Sequence, residues 1–464
     1  MPPLILSTYE LGHQPHLAAL VAGVLRDGHV DYEVLDLSVD PDLKAFNRYI
    51  LENDLRQPRI FIDTAVFTVG MLTSAMLFRD VLVHLEKHLG EVKTLIIYGL
   101  YAHEVAVEAS KISYGNLIVR ATPTMKEIAE DLGVQNVTTT KKYSPAREKL
   151  PPLTRYKTVI TKGVEKVTGY SETSTGCRHR CLHCPLPIYF NGRVAVNPVE
   201  EILSDIETQV LQGATHITLG DPDFFNAPIH AMKVARAIKT RFSDLSFDCT
   251  IKIEHLLKHR AYLSELGETG CSYITSAVES LSDEILINLA KGHKSSDVDI
   301  ALEMVDNAGI DFHPSFVPFT PWTTLEDFEE ILIFAYRNSM ERTLEPVQLA
   351  IKLLVPSNSL LLKSPEFLKF KTSYDIETFS YLWTYRDHRV DKLQKAVEAE
   401  VAKGQLYGDP FEDTFFAIWS ITEEYLGRSI TVPERNQRRA QSVKSSEAWF
   451  CCAEPTSSQR LIGQ

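Results

Sequence analysis

The sequence predicts an α/β fold in which a doubly wound, Rossmann-like domain precedes a partial (β/α)6 barrel and a helical C-terminal extension. Strand and helix patterns alternate strictly over residues 3–135. A polar stretch broken by prolines follows over 136–165, and a second series of alternating patterns fills 166–360. Strict alternation is typical of parallel sheets, because each return of the chain to the same edge needs a crossover, usually a helix.

Five strand patterns define the first domain, 1–135. They cover residues 4–8, 31–37, 59–64, 94–99 and 117–120, with helical spacing of apolar residues near 16–25, 71–88 and 124–132. We expect Gly99 to mark the turn between a buried strand and its loop, and Thr122 or Thr124 to cap the last helix. In such sheets, ligands bind beyond the carboxyl ends of the strands.

After the connection at 136–165, the barrel domain at 166–360 contains six strand patterns. They cover residues 167–172, 216–224, 246–254, 271–280, 310–318 and 347–354. Functional residues of such barrels lie at the carboxyl ends of the strands, on loops supported by a rigid frame. Residues 361–445 are predicted to be mainly helical, most clearly at 370–386 and 391–402, and 446–464 to form a flexible tail.

Composition restricts the class of protein. A hydrophobic fraction of 44% and a charged fraction of 23% are those of a soluble globular protein, and 464 residues suggest about three domains. We expect no signal peptide and no membrane span, because no apolar run approaches ~18 residues. The net charge of -13 argues against nucleic-acid binding. Seven cysteines, three of them in one motif, favour a reducing cytoplasm.

That motif is the most informative feature of the chain. Cys177, Cys181 and Cys184 follow a strand pattern at C-x3-C-x2-C spacing. Three thiolates would hold three irons of a [4Fe-4S] cluster and leave the fourth iron open to a small ligand. The alternative is a zinc site, which usually takes four ligands, the fourth being His179 or His183.

The spacing of the three cysteines resembles that of the radical S-adenosylmethionine (SAM) superfamily. The resemblance implies a reduced [4Fe-4S] cluster that cleaves SAM, and an electron donor such as flavodoxin or ferredoxin. One departure is His183, where relatives usually carry an aromatic residue. The resemblance also indicates residues that would bind SAM or line its pocket: Gly220, Asp221, Lys252, Glu254, Glu279 and Ser280.

Residues 1–135 resemble the cobalamin-binding domain that precedes many radical SAM domains, most closely over 10–16. The sequence lacks Asp-x-His-x-x-Gly, whose histidine ligates cobalt in one large class of cobalamin proteins. His13 and His16 would be substitute ligands, although a histidine near a helix start is more often a cap or a surface residue. The sequence leaves open whether cobalamin binds.

The tail carries adjacent cysteines, Cys451 and Cys452, followed by Ala-Glu-Pro. An accidental pair or a strained vicinal disulfide is one interpretation. The other is a clamp for a soft, thiophilic centre, with nearby arginines lowering the thiol pKa. Cys249 and Cys271 would be candidates for a third thiol, although buried structural cysteines are the commoner state.

The Cys-Cys-Ala-Glu-Pro ending resembles a small group of radical SAM proteins named for that tail and associated with arsenic chemistry. The resemblance implies transfer of the 3-amino-3-carboxypropyl group of SAM to arsenite, a step in the biosynthesis of the antibiotic amino acid arsinothricin. Cys451 and Cys452 would then be catalytic. Two alternatives remain open from the sequence: a cobalamin-dependent radical SAM methyltransferase, and a non-catalytic sensor that binds arsenic or a metal.

Overall fold

The first sheet of the computed structural model is five-stranded and parallel, in the order β2-β1-β3-β4-β5. Helices cover both of its faces, with one buried apolar cluster on each face. This confirms the predicted doubly wound sheet. Its elements are β1 (Leu4–Ser7), α1 (His16–Asp27), β2 (Glu33–Asp36), β3 (Ile60–Thr68), α2 (Leu72–His88), β4 (Leu89–Tyr98), α3 (Ala102–Ala109), β5 (Tyr114–Arg120) and α4 (Met125–Asp131). The structure describes residues 2–40, 44, 48, 60–111, 114–135, 144–161, 163–437 and 443–445.

Two details of this sheet follow the sequence closely. Gly99 has φ +131°, and a Cβ atom there would lie 2.1 Å from the carbonyl oxygen of Val69, so only glycine fits the turn. Thr124 caps α4 in a capping box with Glu127.

The second sheet is nearly closed, in the order β13-β12-β11-β10-β7-β6-β16. Strands β7 and β10 to β13 are parallel, whereas β6 is antiparallel to both of its neighbours, β7 and β16. This barrel-like sheet and the C-terminal helices confirm the predicted fold class. The strands are β6 (Thr158–Thr161), β7 (Val164–Ser171), β8 (Ser174–Gly176), β9 (Val194–Val196), β10 (His216–Leu219), β11 (Ser246–Thr250), β12 (Cys271–Glu279), β13 (Asp311–Phe316), β14 (Lys371–Asp375), β15 (Ser380–Trp383) and β16 (Val443–Ser445).

Helices surround the barrel and extend beyond it. A continuous buried core joins the outer face of the sheet to helices α6 to α9, α11 and α12, and to the C-terminal pair α14 and α15. The helices are α5 (Leu186–Phe190), α6 (Val199–Leu211), α7 (Pro228–Arg241), α8 (Ile253–Lys258), α9 (Leu263–Glu268), α10 (Asp283–Asn288), α11 (Ser295–Asn307), α12 (Leu325–Arg337), α13 (Pro365–Leu368), α14 (His388–Tyr407) and α15 (Phe411–Leu426). Among the described helices, none has both the length and the apolar character needed to cross a bilayer.

The predicted sixth barrel strand at 347–354 is much reduced. Pro346–Leu349 forms a 3-10 helix, and pairing is limited to one parallel bridge between Phe319 and Lys352. Prolines at 346 and 356 flank this segment, and proline has no N–H to donate to a strand ladder. Part of the predicted connection, Thr158–Thr161, is instead strand β6 of the barrel sheet.

The helix predicted at 370–386 is wrong, because this segment is the antiparallel hairpin β14–β15. Aromatic residues suit a pleated surface, and Tyr374 faces Tyr381 across the hairpin with 5.1 Å between ring centroids. The turn is set by Asp375, whose carboxylate accepts hydrogen bonds from the backbone N–H of Glu377 and the hydroxyl of Thr378. Helix α14, predicted at 391–402, is longer than expected and starts at His388.

A buried arginine joins the two sheets. The guanidinium of Arg147 donates to both carboxylate oxygens of Asp205 in α6, at 2.8 and 3.1 Å. It also donates to Oε1 of Gln14 at 3.1 Å and to the carbonyl oxygen of Tyr170 in β7 at 2.9 Å. The contacts reach the loop after β1, a barrel strand and a barrel helix, so Arg147 fixes the two sheets relative to each other.

A carboxyl group beside this interface gives a pH prediction. Burial raises the pKa of Glu10 from 4.5 to about 7. One carboxylate oxygen accepts from the backbone N–H of His16 at 2.7 Å, whereas the other is buried without a hydrogen-bond partner among the described residues. The folded state favours protonated Glu10, so this contribution to stability is complete below pH 4.5 and lost as the pH rises through 7.

Replacing Glu10 by glutamine removes the ionisation and keeps an acceptor for His16. We expect the stability of this variant relative to wild type to rise between pH 5 and pH 8, by roughly 1–3 kcal/mol. Thermal unfolding midpoints across this range measure the difference. Glu130→Gln, at an exposed carboxyl on α4, is the control and should give a flat difference. A flat difference for Glu10→Gln as well would contradict the prediction.

Candidate active site

The three cysteines of the motif lie on a loop at the carboxyl edge of the barrel. Strands β8 and β9 pair antiparallel and close the base of this cysteine loop, residues 177–193. Cys177 and Cys181 are buried and Cys184 is partly exposed. The backbone N–H of Cys184 donates to the carbonyl oxygen of Cys181 at 3.3 Å, which forms a tight turn between them.

Side chains and backbone from other barrel loops anchor the cysteine loop. Oδ1 of Asn226 accepts from the backbone N–H of Arg178 at 3.1 Å and lies 3.9 Å from Sγ of Cys177. The backbone N–H of Leu182 donates to the carbonyl oxygen of Leu289 at 2.9 Å. No sequence pattern marks Asn226, because its role depends on a contact between distant positions.

Asp221 anchors the residues that lead into the cysteine loop. Its carboxylate accepts from the backbone N–H of Thr173 at 3.0 Å, from the hydroxyl of Thr173 at 2.8 Å and from the hydroxyl of Ser174. Burial raises its pKa to about 6. Gly220 leaves room for Tyr170, since a Cβ atom at position 220 would lie 2.0 Å from the tyrosine ring. Gly220 and Asp221, both predicted to bind SAM, thus contact the end of β7 and the residues that lead into the cysteine loop.

Glu279 lies at the end of β12 in a strained conformation, with φ +66°. Oε1 of its carboxylate accepts from Nζ of Lys291 at 3.1 Å and lies 3.2 Å from Nε2 of His183. Burial raises the pKa of Glu279, but Lys291 and His183 outweigh it and hold the pKa well below its usual range. Ser280, also predicted to contact SAM, is buried, and its hydroxyl accepts from the backbone N–H of Ser282.

Lys291 brings a positive charge to the cysteines. Burial lowers the pKa of Lys291, but Glu279 and the thiols of Cys181 and Cys184 outweigh it and raise the pKa. The ammonium group therefore stays protonated in the interior, in the field of two cysteines. Lys291 thus places a positive charge close to two of the three cysteines of the motif.

Replacing Lys291 by methionine should leave Glu279 as a buried carboxylate without its ammonium partner. Breaking such a pair costs about 3–5 kcal/mol, so we expect a clearly lower thermal midpoint for the metal-free protein. The double variant Lys291→Met/Glu279→Gln removes both charges and should be more stable than the single variant. Equal midpoints for Lys291→Met and wild type, or additive effects in the double variant, would contradict this account.

A second cluster of polar and charged side chains links the cysteine loop to α8. Oδ2 of Asp223 lies 3.2 Å from Nε2 of His179 and 2.8 Å from Nδ1 of His255. Nδ1 of His179 lies 3.2 Å from Nζ of Lys252 and 3.5 Å from Oε2 of Glu254. The strand predicted through residue 254 ends at 250, so Lys252 and Glu254 belong to the start of α8. Both approach the cysteine loop through His179.

The contacts of His179 and His183 bear on whether the cysteines would hold an iron–sulfur cluster or zinc. Nε2 of His183 faces Glu279, and Nε2 of His179 faces Asp223. The structure thus pairs each histidine proposed as a fourth zinc ligand with a carboxylate. Such a carboxylate is also the usual partner of the second ring nitrogen of a metal-binding histidine, so these pairs do not decide the metal. Three thiols on one loop fit three irons of a [4Fe-4S] cluster with one iron open.

The other predicted cysteines lie elsewhere. Cys451 and Cys452 fall outside the described residues. Cys249 and Cys271 are buried on the helix-facing side of β11 and β12, within the core of the barrel domain. Burial raises the pKa of Cys249 well above its usual value, with a further contribution from Cys271. Both are structural thiols, and the idea that either supplies a third ligand is not supported.

Cobalamin, if bound, is predicted to lie at the carboxyl edge of the first sheet, where such sheets bind their ligands. His13 is buried there, with its ring centroid 4.9 Å from that of Tyr170, and Nδ1 of His16 lies 3.3 Å from the guanidinium of Arg147. Leu354 and Phe379 belong to the buried apolar cluster of this sheet. The imidazoles of His13 and His16 thus both lie at the contact between the first sheet and the barrel.

Comparison with known proteins agrees with this geometry. Residues 171–335 match the model of the radical SAM superfamily. The ribosomal protein uS12 methylthiotransferase RimO of Thermosipho africanus is 23% identical over 188 residues, which cover 38% of this chain and 43% of RimO. RimO of Petrotoga mobilis is 22% identical over 200 residues, 41% of this chain and 45% of the relative. The chain thus spans less than half the length of these curated relatives.

Two solved structures share the fold more widely. The cobalamin-dependent SAM radical enzyme OxsB, solved with aqua-cobalamin and SAM bound, aligns with a TM-score of 0.61 and 14% identity, over 87% of this chain and 67% of OxsB. The radical SAM methyltransferase TsrM from Kitasatospora setae, with cobalamin and a [4Fe-4S] cluster bound, gives a TM-score of 0.53 and 15% identity, over 71% of this chain and 72% of TsrM.

Proposed function

We propose that this chain is a radical SAM transferase that moves the 3-amino-3-carboxypropyl group of SAM to arsenite held by Cys451 and Cys452. Cys177, Cys181 and Cys184 would hold the [4Fe-4S] cluster. When bound, the cluster supplies one electron that breaks a carbon–sulfur bond of SAM. The observation that most supports the first half of this proposal is the three-thiol loop at the carboxyl edge of the barrel, where barrel enzymes hold their reacting groups.

The charged side chains around the loop suit the amino-acid portion of SAM. The predicted pocket residues Lys252 and Glu254 approach the loop through His179. Lys252 would pair with a carboxylate, and Glu254 with an ammonium group. Glu279 and Ser280 follow β12 at the same edge, and the Glu279 carboxylate stays ionised next to Lys291. These groups would orient SAM so that the bond to its aminocarboxypropyl carbon is the one that breaks.

The direction of β16 supports a role for the tail. β16 is antiparallel to β6, which is antiparallel to β7, so β16 runs towards the edge that carries the cysteine loop. Ser445 pairs with Val159, which pairs with Lys166, five positions before the end of β7. Cys451 follows Ser445 by six positions, and an extended chain of that length spans ~20 Å. An extended connection of this length would reach the carboxyl edge.

The proposed reaction balances with two electrons. The first electron releases methylthioadenosine and the aminocarboxypropyl radical, which adds to arsenic bound by the two tail thiolates. A second electron and a proton release water from the arsenic centre, leaving a new carbon–arsenic bond. Two thiolates suit a soft centre such as As(III), and holding it in place makes capture of the radical a local event.

The test is analysis of the products of the reconstituted, reduced protein with SAM, with and without arsenite. Formation of methylthioadenosine would support the proposal if mass spectrometry also detects an arsenic-bearing amino acid. That second product should appear only when arsenite is present. 5′-Deoxyadenosine as the main product would contradict it. The similarity in fold to OxsB and TsrM favours one second candidate, methyl transfer, for which S-adenosylhomocysteine would form instead. If the protein consumes no SAM, the remaining candidate is a non-catalytic arsenic-binding protein.

A further inference from the structure

Three arginines crowd the exposed side of the cysteine loop. Arg178 and Arg180 stand between Cys177 and Cys181, and Arg193 precedes β9. All three side chains are exposed. The loop folds them together: a Cβ atom at Gly192 would lie 3.6 Å from the carbonyl oxygen of Arg178 and 3.9 Å from Nε of Arg180. We call these three residues the arginine surface.

The arginine surface is not neutralised by the part of the chain that the structure describes. Nη2 of Arg180 donates to Oδ1 of Asn191 at 2.9 Å, and Nε of Arg193 donates to the carbonyl oxygen of Phe190 at 3.3 Å. Both acceptors are uncharged, and no described carboxylate forms an ion pair with the arginine surface. Other exposed arginines do pair with carboxylates: Arg236 with Glu265, Arg342 with Glu412, and Arg386 with Glu284.

Three positive charges without a carboxylate partner among the described residues stand out on this protein, because acidic residues outnumber basic ones and the net charge is -13. Charge of one sign gathered at one place attracts a partner of opposite charge and speeds its association. An apolar strip adjoins the surface, since Ala195 and Val196 of β9 are exposed, Val196 to 49%. Apolar contact beside charged groups is the usual composition of a protein interface.

We propose that the arginine surface docks an acidic one-electron carrier protein of the flavodoxin or ferredoxin class, which reduces the cluster. This inference rests on the proposed function, because that function requires an external source of electrons at these cysteines. In the step, the reduced carrier loses one electron and the oxidised cluster gains it, with no atom transferred. The arginines stand on the same loop as the cluster ligands, so docking there brings the carrier next to the electron acceptor.

The test compares two reductants on the reconstituted protein. The triple variant Arg178→Gln/Arg180→Gln/Arg193→Gln is mixed anaerobically with a reduced flavodoxin of net negative charge, and bleaching of the cluster absorbance gives the rate. We expect a second-order rate about 10–100-fold below wild type and a much weaker dependence on salt. Reduction by dithionite, a small molecule that needs no docking surface, should remain unchanged.

A matched control removes the same charge elsewhere. Arg155→Gln/Arg260→Gln/Arg342→Gln changes three exposed arginines outside the cysteine loop and should keep the wild-type rate with flavodoxin. The dissociation constant of flavodoxin, measured by fluorescence anisotropy, should rise at least tenfold in the arginine-surface variant only. Iron content shows whether that variant keeps its cluster. If it does not, Arg193→Gln alone, outside the three-cysteine stretch, is compared in the same assays.

The outcomes separate the two proposals. Equal flavodoxin rates and affinities in wild type and the arginine-surface variant, or an equal loss in the control, would overturn the docking proposal and leave the proposed function intact. A wild-type protein that binds no cluster, or whose cluster dithionite cannot reduce, would instead contradict the proposed function. Binding of a short RNA in place of flavodoxin, lost in the same variant, would also overturn the choice of partner.

Discussion

Replacing Cys451 and Cys452 by serine is expected to abolish the arsenic-bearing product while SAM cleavage continues. The groups that would bind the cluster and SAM lie on the barrel, so formation of methylthioadenosine should stay within about twofold of wild type. Without two thiolates to hold As(III), capture of the radical becomes bimolecular and loses the large advantage of a fixed position. Product should then fall below about 1% of wild type.

The assay needs a phosphine reductant in place of dithiothreitol, because added dithiols would bind arsenite themselves. Ser457→Ala/Ser458→Ala alters the same tail without touching a thiol and serves as the matched control. The single variants Cys451→Ser and Cys452→Ser should each lose most of the product, since one thiolate cannot clamp the arsenic centre. Wild-type product formation by the double serine variant would rule out the clamp.

Replacing Arg147 by methionine should give the largest loss of stability. The change leaves the Asp205 carboxylate buried without its partner and removes donors from Gln14 and from the carbonyl oxygen of Tyr170. Breaking a buried ion pair costs about 3–5 kcal/mol. We expect a lower thermal midpoint and faster proteolysis of the segment around residues 144–157, because the two sheets would lose their shared anchor.

Two further variants separate the ion pair from general disruption. Arg147→Met/Asp205→Asn removes both charges and should recover part of the lost stability. Arg155→Met, at an exposed arginine of the same segment, should have little effect. If Arg147→Met unfolds at the wild-type temperature, the contact between the sheets must depend on other groups.

Patterns of short range allowed much of the fold to be predicted. Gly99 indicates a turn because its neighbourhood in the chain is a buried strand, and Thr124 indicates a helix start because its partner Glu127 is three positions away. The three cysteines are likewise close in sequence, so their spacing alone identifies the loop. Each of these features is encoded by residues that are neighbours along the chain.

The errors arise where contacts that periodicity does not report decide the structure. Residues 370–386 contain apolar residues at spacings that also suit a helix, and the tyrosine pair across β14 and β15 decides in favour of a hairpin. Asn226 and Asp223 were missed because their partners, Arg178 and His179, are more than forty positions away. Periodicity carries no information about such pairs.

Arg147 is another residue whose role cannot be recognised from the sequence. In the sequence it is one polar residue within a proline-rich connection, and nothing marks it as the most deeply buried arginine of the described chain. Its significance comes from Asp205, Gln14 and Tyr170, which belong to three different elements. Lys291 is comparable, since its charge matters only because β12 delivers Glu279 to the same place.

The short strand β16 has a quantitative consequence for the tail. Pairing with β6, together with the hydrogen bond from the backbone N–H of Val443 to Asp311, fixes one end of the segment that carries Cys451 and Cys452. If the thiols act as proposed, a short tether of this kind would present them to the barrel at an effective concentration in the millimolar range. A detached peptide of the same sequence would have to be supplied at that concentration to replace it. The three paired residues of β16 would thus make a separate binding site for the tail unnecessary.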